Sequence, residues 1–216
     1  MNASAASREM ILDRIREAGG KTAGREAAYS GLPRNYERGG KLDIEARLQL
    51  MVERLREYDS EVVECTPDEL PDAIAAQLER SGRKRFVAAE GLPKEWLTAG
   101  YEWKTGGGLE TGEVEDADGV VTGAACGVAN SGTIVLHHGG REGRRILSLL
   151  PDWHLCILYS SQVVETLPEY FGRCDQAPPL VTWISGPSAT ADIEMTRIKG
   201  VHGPRFLAVI LVRDHM

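Results

Sequence analysis

The sequence predicts a three-layer α/β/α sandwich built on a mostly parallel sheet. Three observations carry that prediction. From residue 61 onward, short β-prone runs alternate with helical patterns, the order that places helices on the faces of a sheet. Two runs, His154–Tyr159 (HLCILY) and Phe206–Val212 (FLAVILV), are almost wholly apolar rather than alternating, as expected of parallel strands covered on both faces. Each glycine-rich segment follows a strand candidate, and open α/β sheets hold ligands outside the carboxyl ends of strands.

Taken in order, residues 5–18 read as a helix with a partial apolar stripe of Met10, Ile11, Ile15 and Ala18. Residues 19–41 are rich in Gly, Arg and polar side chains around Pro33. They read as an extended arm or linker able to pack on another surface, a second subunit's included, so a homo-oligomer is left open. The chain thus divides into a helical arm and linker over 1–42 and an α/β domain over 43–216. Ile44, Leu48, Met51, Val52 and Leu55 recur at helical spacing over 43–58. Glu61–Cys65 follows as a strand. Thr66-Pro67-Asp68-Glu69 reads as a capping box opening a helix whose buried face is Leu70, Ile74 and Leu78 and which Gly82 ends.

Arg85–Ala89 is the next strand. Residues 91–119 read as irregular, with a short helix near Pro93–Leu97 and a flexible run at Gly106-Gly107-Gly108. Residues 120–128 and 133–137 read as two strands joined by a tight turn at Asn130-Ser131-Gly132. Arg144–Leu150 is a single helical turn stopped by Pro151. After His154–Tyr159, Ser160 or Ser161 caps a helix through Val164, Leu167 and Phe171 that Pro168 kinks or shortens. Leu180–Ile184 is a strand, Ser188–Ile198 a helix and Phe206–Val212 the last strand.

Composition narrows the function. A net charge of −7 argues against non-specific nucleic-acid binding, which depends on neutralising phosphates. The basic clusters Arg83–Arg85 and Arg141–Arg145 are short and read as solvated surface, and the acids Glu110, Glu113, Glu115, Asp116 and Asp118 as an acidic loop. Cys65, Cys126, Cys156 and Cys174 form no C-x-x-C pair, so the usual zinc-ribbon and contiguous iron–sulfur signatures are missing. The expectation is a chain with no metal or cofactor of its own and no disulfide. No apolar run approaches the ~20 residues that span a bilayer, and the first residues lack a signal-peptide core. A cytoplasmic protein is expected.

Three segments carry candidate chemistry. In Ser185–Glu194, Gly186 permits a sharp turn, Pro187 stiffens it and Ser188 can cap the following helix, whose N–H groups attract carboxylate or phosphate. Asp192 and Glu194 would repel such an anion and equally satisfy the helix dipole, so capping and ligand binding both stand. In Lys199–Pro204, His202 sits in a rigid turn; imidazoles titrate near neutrality, so it can transfer a proton, above all if Asp192 or Glu194 faces it. In Gly127–Leu136, Asn130, Ser131, Gly132 and Thr133 offer hydroxyls, an amide and backbone N–H groups able to cradle a small anion, or form an ordinary hairpin. The spacing is that of neither a P-loop nor a dinucleotide-binding turn.

Gly123-Ala124-Ala125 leading into Ala129–Leu136, Leu149-Leu150-Pro151 with His154, then Gly186–Glu194 and Gly200–Pro204 resemble the lactate utilization protein C (LUD domain) family. The resemblance runs from about residue 45 to the C-terminus. Family members more often carry Glu-Thr where this chain has Asn130-Ser131, a departure that removes a carboxylate from the turn. The resemblance implies a fold like that of ribose-phosphate isomerases, CoA transferases and formyltetrahydrofolate cyclo-ligases. It also implies a role in oxidising L-lactate to pyruvate beside two iron–sulfur partners, lactate utilization proteins A and B, which would carry the clusters. It transfers no catalytic residue. Fold analogy alone suggests instead a stand-alone enzyme on a sugar-phosphate, CoA or folate-type substrate, and a non-catalytic regulatory or scaffold subunit is a third reading. On the first reading, Asn130–Thr133 and Gly186–Glu194 converge with His202 on one pocket. Ser131, Thr133, Ser188 and Thr190 would bond a small hydroxy- or keto-acid there, and His202 would orient or protonate it.

Overall fold

The computed structural model describes residues 3–19, 29–33, 35–174, 176, 178–191, 197–199 and 202–214. The chain forms two compact units, Met1–Glu37 and Arg38–Met216. The first holds helix α1 (Ala3–Ala18), on which Met10, Ile11 and Ile15 are exposed.

In the second unit, the carboxylate of Asp43 accepts from the Ala46 N–H at 2.8 Å and caps α2 (Ile44–Glu57), which buries Leu48, Met51, Val52 and Leu55. Helix α3 (Leu70–Ser81) buries Leu70, Ile74 and Leu78 and ends at Gly82 in the left-handed conformation. The Thr66 N–H and hydroxyl both donate to the Glu69 carboxylate, at 2.9 and 2.8 Å. This contact forms a turn leading into α3 rather than the helix's own first turn. Two shorter helices among the described residues are α4 (Thr111–Glu115) and α5 (Leu167–Arg173).

The strands in chain order are β1 (Glu61–Cys65), β2 (Arg85–Ala88), β3 (Glu102–Thr105), β4 (Gly119–Gly123), β5 (Cys126–Val128), β6 (Thr133–Leu136), β7 (Trp153–Tyr159), β8 (Val163–Val164), β9 (Thr182–Ile184), β10 (Ala189–Ala191), β11 (Arg197–Lys199) and β12 (Phe206–Val212). Six form a wholly parallel sheet of order β1-β12-β7-β4-β2-β3. Four more form a mixed sheet of order β8-β5-β6-β9.

Alternate residues of β7 and β12 explain their unbroken apolar runs. Leu155, Ile157, Ala208 and Ile210 pack with Ile74 and Leu78 of α3. Cys156, Leu158, Val209 and Leu211 pack with Met51 and Leu55 of α2 and with Ile134 and Leu136 of the mixed sheet. The parallel sheet is therefore covered on both faces, as the sequence predicts.

Four local expectations fail, each for a visible reason. Residues 120–128 are not one strand: β4 ends at Gly123 in the parallel sheet, and β5 starts at Cys126 in the mixed one. Gln162 Nε2 satisfies the Ala124 carbonyl at that break, at 2.6 Å. Residues 91–119 are not irregular throughout. They supply β3, whose polar EWKT sequence suits a sheet edge, and α4, before which the Glu110 N–H donates to the Glu113 carboxylate at 3.0 Å. The helix expected from Ser160 is a 3-10 turn at Ser160–Gln162 and β8; the helix starts only at Leu167, capped by Thr166, with Pro168 in its first turn. Of the helix expected over Ser188–Ile198, residues 192–196 lie outside the described residues, and the described ones form antiparallel β10 and β11, which pair Ala189 with Lys199 and Ala191 with Arg197.

Candidate functional site

Two of the glycine-rich segments, after β5 and after β9, leave the mixed sheet. Strands β5 and β9 both run antiparallel to β6, so Val128 and Ile184 end where β6 begins. There Thr133 Oγ1 lies 2.7 Å from both Ser131 Oγ and Ser185 Oγ, a line of three hydroxyls. Gly132 and Gly186 turn the chain with φ of 57° and 88°. A Cβ on Gly132 would lie 2.7 Å from Arg54 Cβ, and one on Gly186 would lie 2.6 Å from Tyr58 Cβ. These two glycines let both turns press on the C-terminal end of α2.

Beyond Gly186 the two later segments join. The Ser188 N–H donates to the Pro204 carbonyl at 2.8 Å, and the His202 N–H donates to Ser188 Oγ at 3.1 Å. Gly186, Ser188 and His202 border a cavity of about 180 Å³ whose other walls include Arg145, Ser148, His154 and Thr182. Asn130, Ser131, Gly132 and Thr133 do not line it. Thr133 reaches its wall only through Ser185, which does. Thr190 lies in β10. Asp192 and Glu194 lie outside the described residues, as does any pairing of either with His202.

The cavity sits at the amino ends of β7 and β12, against His154 and Leu207, not beyond the carboxyl ends expected from the sequence. On the carboxyl side, strand order reverses between β2 and β4. There the loop after β6 lies across: the Gly91 N–H donates to the Gly140 carbonyl at 2.8 Å and the Gly123 N–H to the Arg141 carbonyl at 2.9 Å.

The cavity's polar wall is organised from His138, a residue in the left-handed region at φ 58°. Its Nδ1 lies 3.0 Å from the Gly143 carbonyl and its Nε2 2.7 Å from Thr182 Oγ1. A carbonyl only accepts, so Nδ1 donates, and in the neutral ring Nε2 accepts from the Thr182 hydroxyl. Arg145 donates a guanidinium N–H to the same Thr182 oxygen. Ser148 Oγ donates to the Arg145 carbonyl at 3.1 Å. His154 is enclosed with its Nε2 2.7 Å from Thr122 Oγ1, and burial pushes its imidazole down to about 4, so it is neutral near pH 7. Arg145 supplies a permanent positive charge, and none of the described lining residues is acidic.

Sequence reasoning missed Arg145, Thr182 and Ser148. Arg145 stood in a basic run read as solvated surface; its one signal was its place directly before the apolar Ile146-Leu147. Burial pushes the Cys65 and Cys126 thiols up to about 11 and Cys156 up to about 12, which makes them poor nucleophiles. Among the described residues, no group of three His, Cys, Asp or Glu side chains is placed to hold a metal ion. Nor is any helix among them long and apolar enough to cross a membrane.

The LUD domain model matches residues 111–212, a span that contains every described cavity residue. The chain is 40% identical over 165 residues to lactate utilization protein C of Deinococcus radiodurans, across 74% of this chain and 76% of that protein. It is 32% identical over 177 residues to the protein of the same name from Bacillus subtilis, across 72% and 73% of the two chains. A crystal structure of a DUF162 family protein from Deinococcus radiodurans superposes with a TM-score of 0.64 at 34% identity, covering 80% of this chain and 99% of that one. On this shared sequence and fold, the chain belongs to the lactate utilization protein C family and carries its LUD domain.

Proposed function

We propose that this chain is a cytoplasmic component of a lactate utilization system and supports oxidation of L-lactate to pyruvate beside iron–sulfur proteins of the A and B types. The name shared by its relatives supports the pathway. The observation that carries the reading is the make-up of the cavity: a guanidinium, the hydroxyls of Ser148, Thr182, Ser185 and Ser188, and the His202 imidazole around about 180 Å³. The guanidinium suits the carboxylate of a short acid, and the hydroxyls and imidazole suit its C2 oxygen.

Oxidising lactate to pyruvate removes two electrons and two protons from the C2 carbinol. On this reading, the chain's residues hold the acid and handle protons. His202 would orient the acid or take the hydroxyl proton, and the C2 hydrogen with its electron pair would leave to the oxidant that the iron–sulfur partners supply. A gene deletion tests the pathway role. In a strain without a paralogue, growth on L-lactate should be lost and growth on glucose retained. In reconstitution, L-lactate-dependent dye reduction by the A- and B-type partners should require this chain. Normal growth of the deletion strain would overturn the role. Turnover of a phosphorylated sugar or acyl-CoA by the purified chain alone would replace it with an independent enzyme.

A further inference from the structure

We infer that Arg145 anchors a carboxylate in the cavity and that Thr182 and His138 position it, making the cavity selective for short 2-hydroxy and 2-oxo monocarboxylates. The inference rests on the proposed function and goes beyond it by assigning the recognition to residues outside every sequence motif.

The argument begins with charge. Some arginines of this unit meet carboxylates: Arg83 and Arg205 meet Asp152, Arg85 meets Asp118, and Arg213 meets Glu45 and Glu64. Others, Arg47, Arg56, Arg144 and Arg173, donate to backbone carbonyls. Arg145 bonds to a hydroxyl instead, and no carboxylate among the described residues lies within ion-pair distance of it. An exposed guanidinium on the rim of a cavity without described acidic lining residues is what a carboxylate needs, and its planar fork suits bidentate recognition.

Direction comes next. The Gly143 carbonyl fixes which His138 nitrogen donates, so in the neutral ring the other accepts a hydrogen bond from the Thr182 hydroxyl and leaves the Thr182 lone pairs for Arg145. That chain sets the orientation of the guanidinium. His138 occupies its left-handed backbone where both ring nitrogens are satisfied. Ser188 and Ser185, on other walls of the same cavity, are available to the oxygen on C2.

Ligand binding by the full chain without partners tests the assignment, using calorimetry and thermal shift with L-lactate, pyruvate, lactamide and ribose 5-phosphate. L-lactate or pyruvate should bind, and lactamide, which lacks the carboxylate, should bind at least tenfold more weakly. Arg145→Gln should weaken acid binding at least tenfold with little change in the unliganded melting temperature, and Arg145→Lys should recover part of it. His138→Asn tolerates the left-handed backbone and should raise the Kd for the acids several-fold while leaving lactamide unchanged. Should His138→Asn fail to fold, the near-isosteric Thr182→Val interrupts the same chain of bonds.

Unchanged acid binding in Arg145→Gln, equal binding of lactamide, or preference for ribose 5-phosphate would overturn the anchor. If the chain binds neither acid yet L-lactate growth requires it, the anchor fails and the pathway role stands. If it binds both acids and the deletion strain grows normally on L-lactate, the pathway role fails instead.

Discussion

His154 of β7 and Thr122 of β4 meet inside the protein, with Nε2 and Oγ1 2.7 Å apart and both side chains buried. Burial lowers the imidazole from 6.5 to about 4. As pH falls through 6.5, the unfolded chain takes up a proton that the folded chain refuses until about 4. Stability should therefore decline across that window, by up to roughly 3 kcal/mol at about 1.4 kcal/mol per pH unit. Urea unfolding at intervals from pH 7.5 to 4 should show this slope in the wild type and lose most of it in His154→Gln. Parallel slopes would mean that the histidine is not held neutral.

A second acid transition should lie lower. Asp118 is held down to about 2, first by its hydrogen bond with Arg85, whose guanidinium lies 2.7 Å away. Its carboxylate also accepts the Lys84 and Arg85 N–H groups at 3.3 and 3.0 Å. The ordinary value is 3.8, so this stabilisation is complete above it and is lost as pH falls toward 2. In Asp118→Asn, unfolding followed from pH 4 to 2 should be flatter than in the wild type, with the window above pH 4 unaffected.

Gly186→Ala should destabilise the protein by about 2–4 kcal/mol, because a strained left-handed alanine would also collide with Tyr58. Gly82 is a matched control: it has a φ of 67°, and a methyl added there would have nothing within 4 Å. Gly82→Ala should cost only the conformational strain, about 1–2 kcal/mol. Denaturant midpoints of both variants, compared directly, check this; equal losses would remove the packing role assigned to Gly186.

How far the sequence could be read depended on where the information lay. Strands β7 and β12 were legible because burial on both faces leaves almost unbroken apolar runs, and α2 and α3 because one face repeats at helical spacing. Strand β3 was illegible because an edge strand carrying Glu102 and Lys104 has no apolar signature. Gly-Pro-Ser at 186–188 promised a helix start, but the same residues turn the chain into β10, and only the pairing of Ala189 with Lys199 decides between them. Ser188 and His202 were found because each lies in a turn-rich segment. Arg145 and Thr182 were not, because their meeting depends on bringing a turn before β7 against the start of β9.

Ser188→Ala and His202→Ala separate ligand handling from structure. The His202 side chain is exposed, and the bond joining it to Ser188 uses the His202 backbone, so His202→Ala should leave the melting temperature nearly unchanged. Ser188→Ala removes the acceptor for that N–H and should cost about 1 kcal/mol. If His202 transfers a proton, its loss should slow L-lactate-dependent dye reduction by about 10²–10⁴-fold in the reconstituted system. Ser188→Ala should act mainly on the apparent KM, as loss of a hydrogen bond to bound acid does. Growth on L-lactate should fail in His202→Ala at normal protein abundance. If both variants instead lose stability in step with activity, the turn joining Ser188 to His202 is a structural clasp, and the proton-transfer role belongs elsewhere in the cavity.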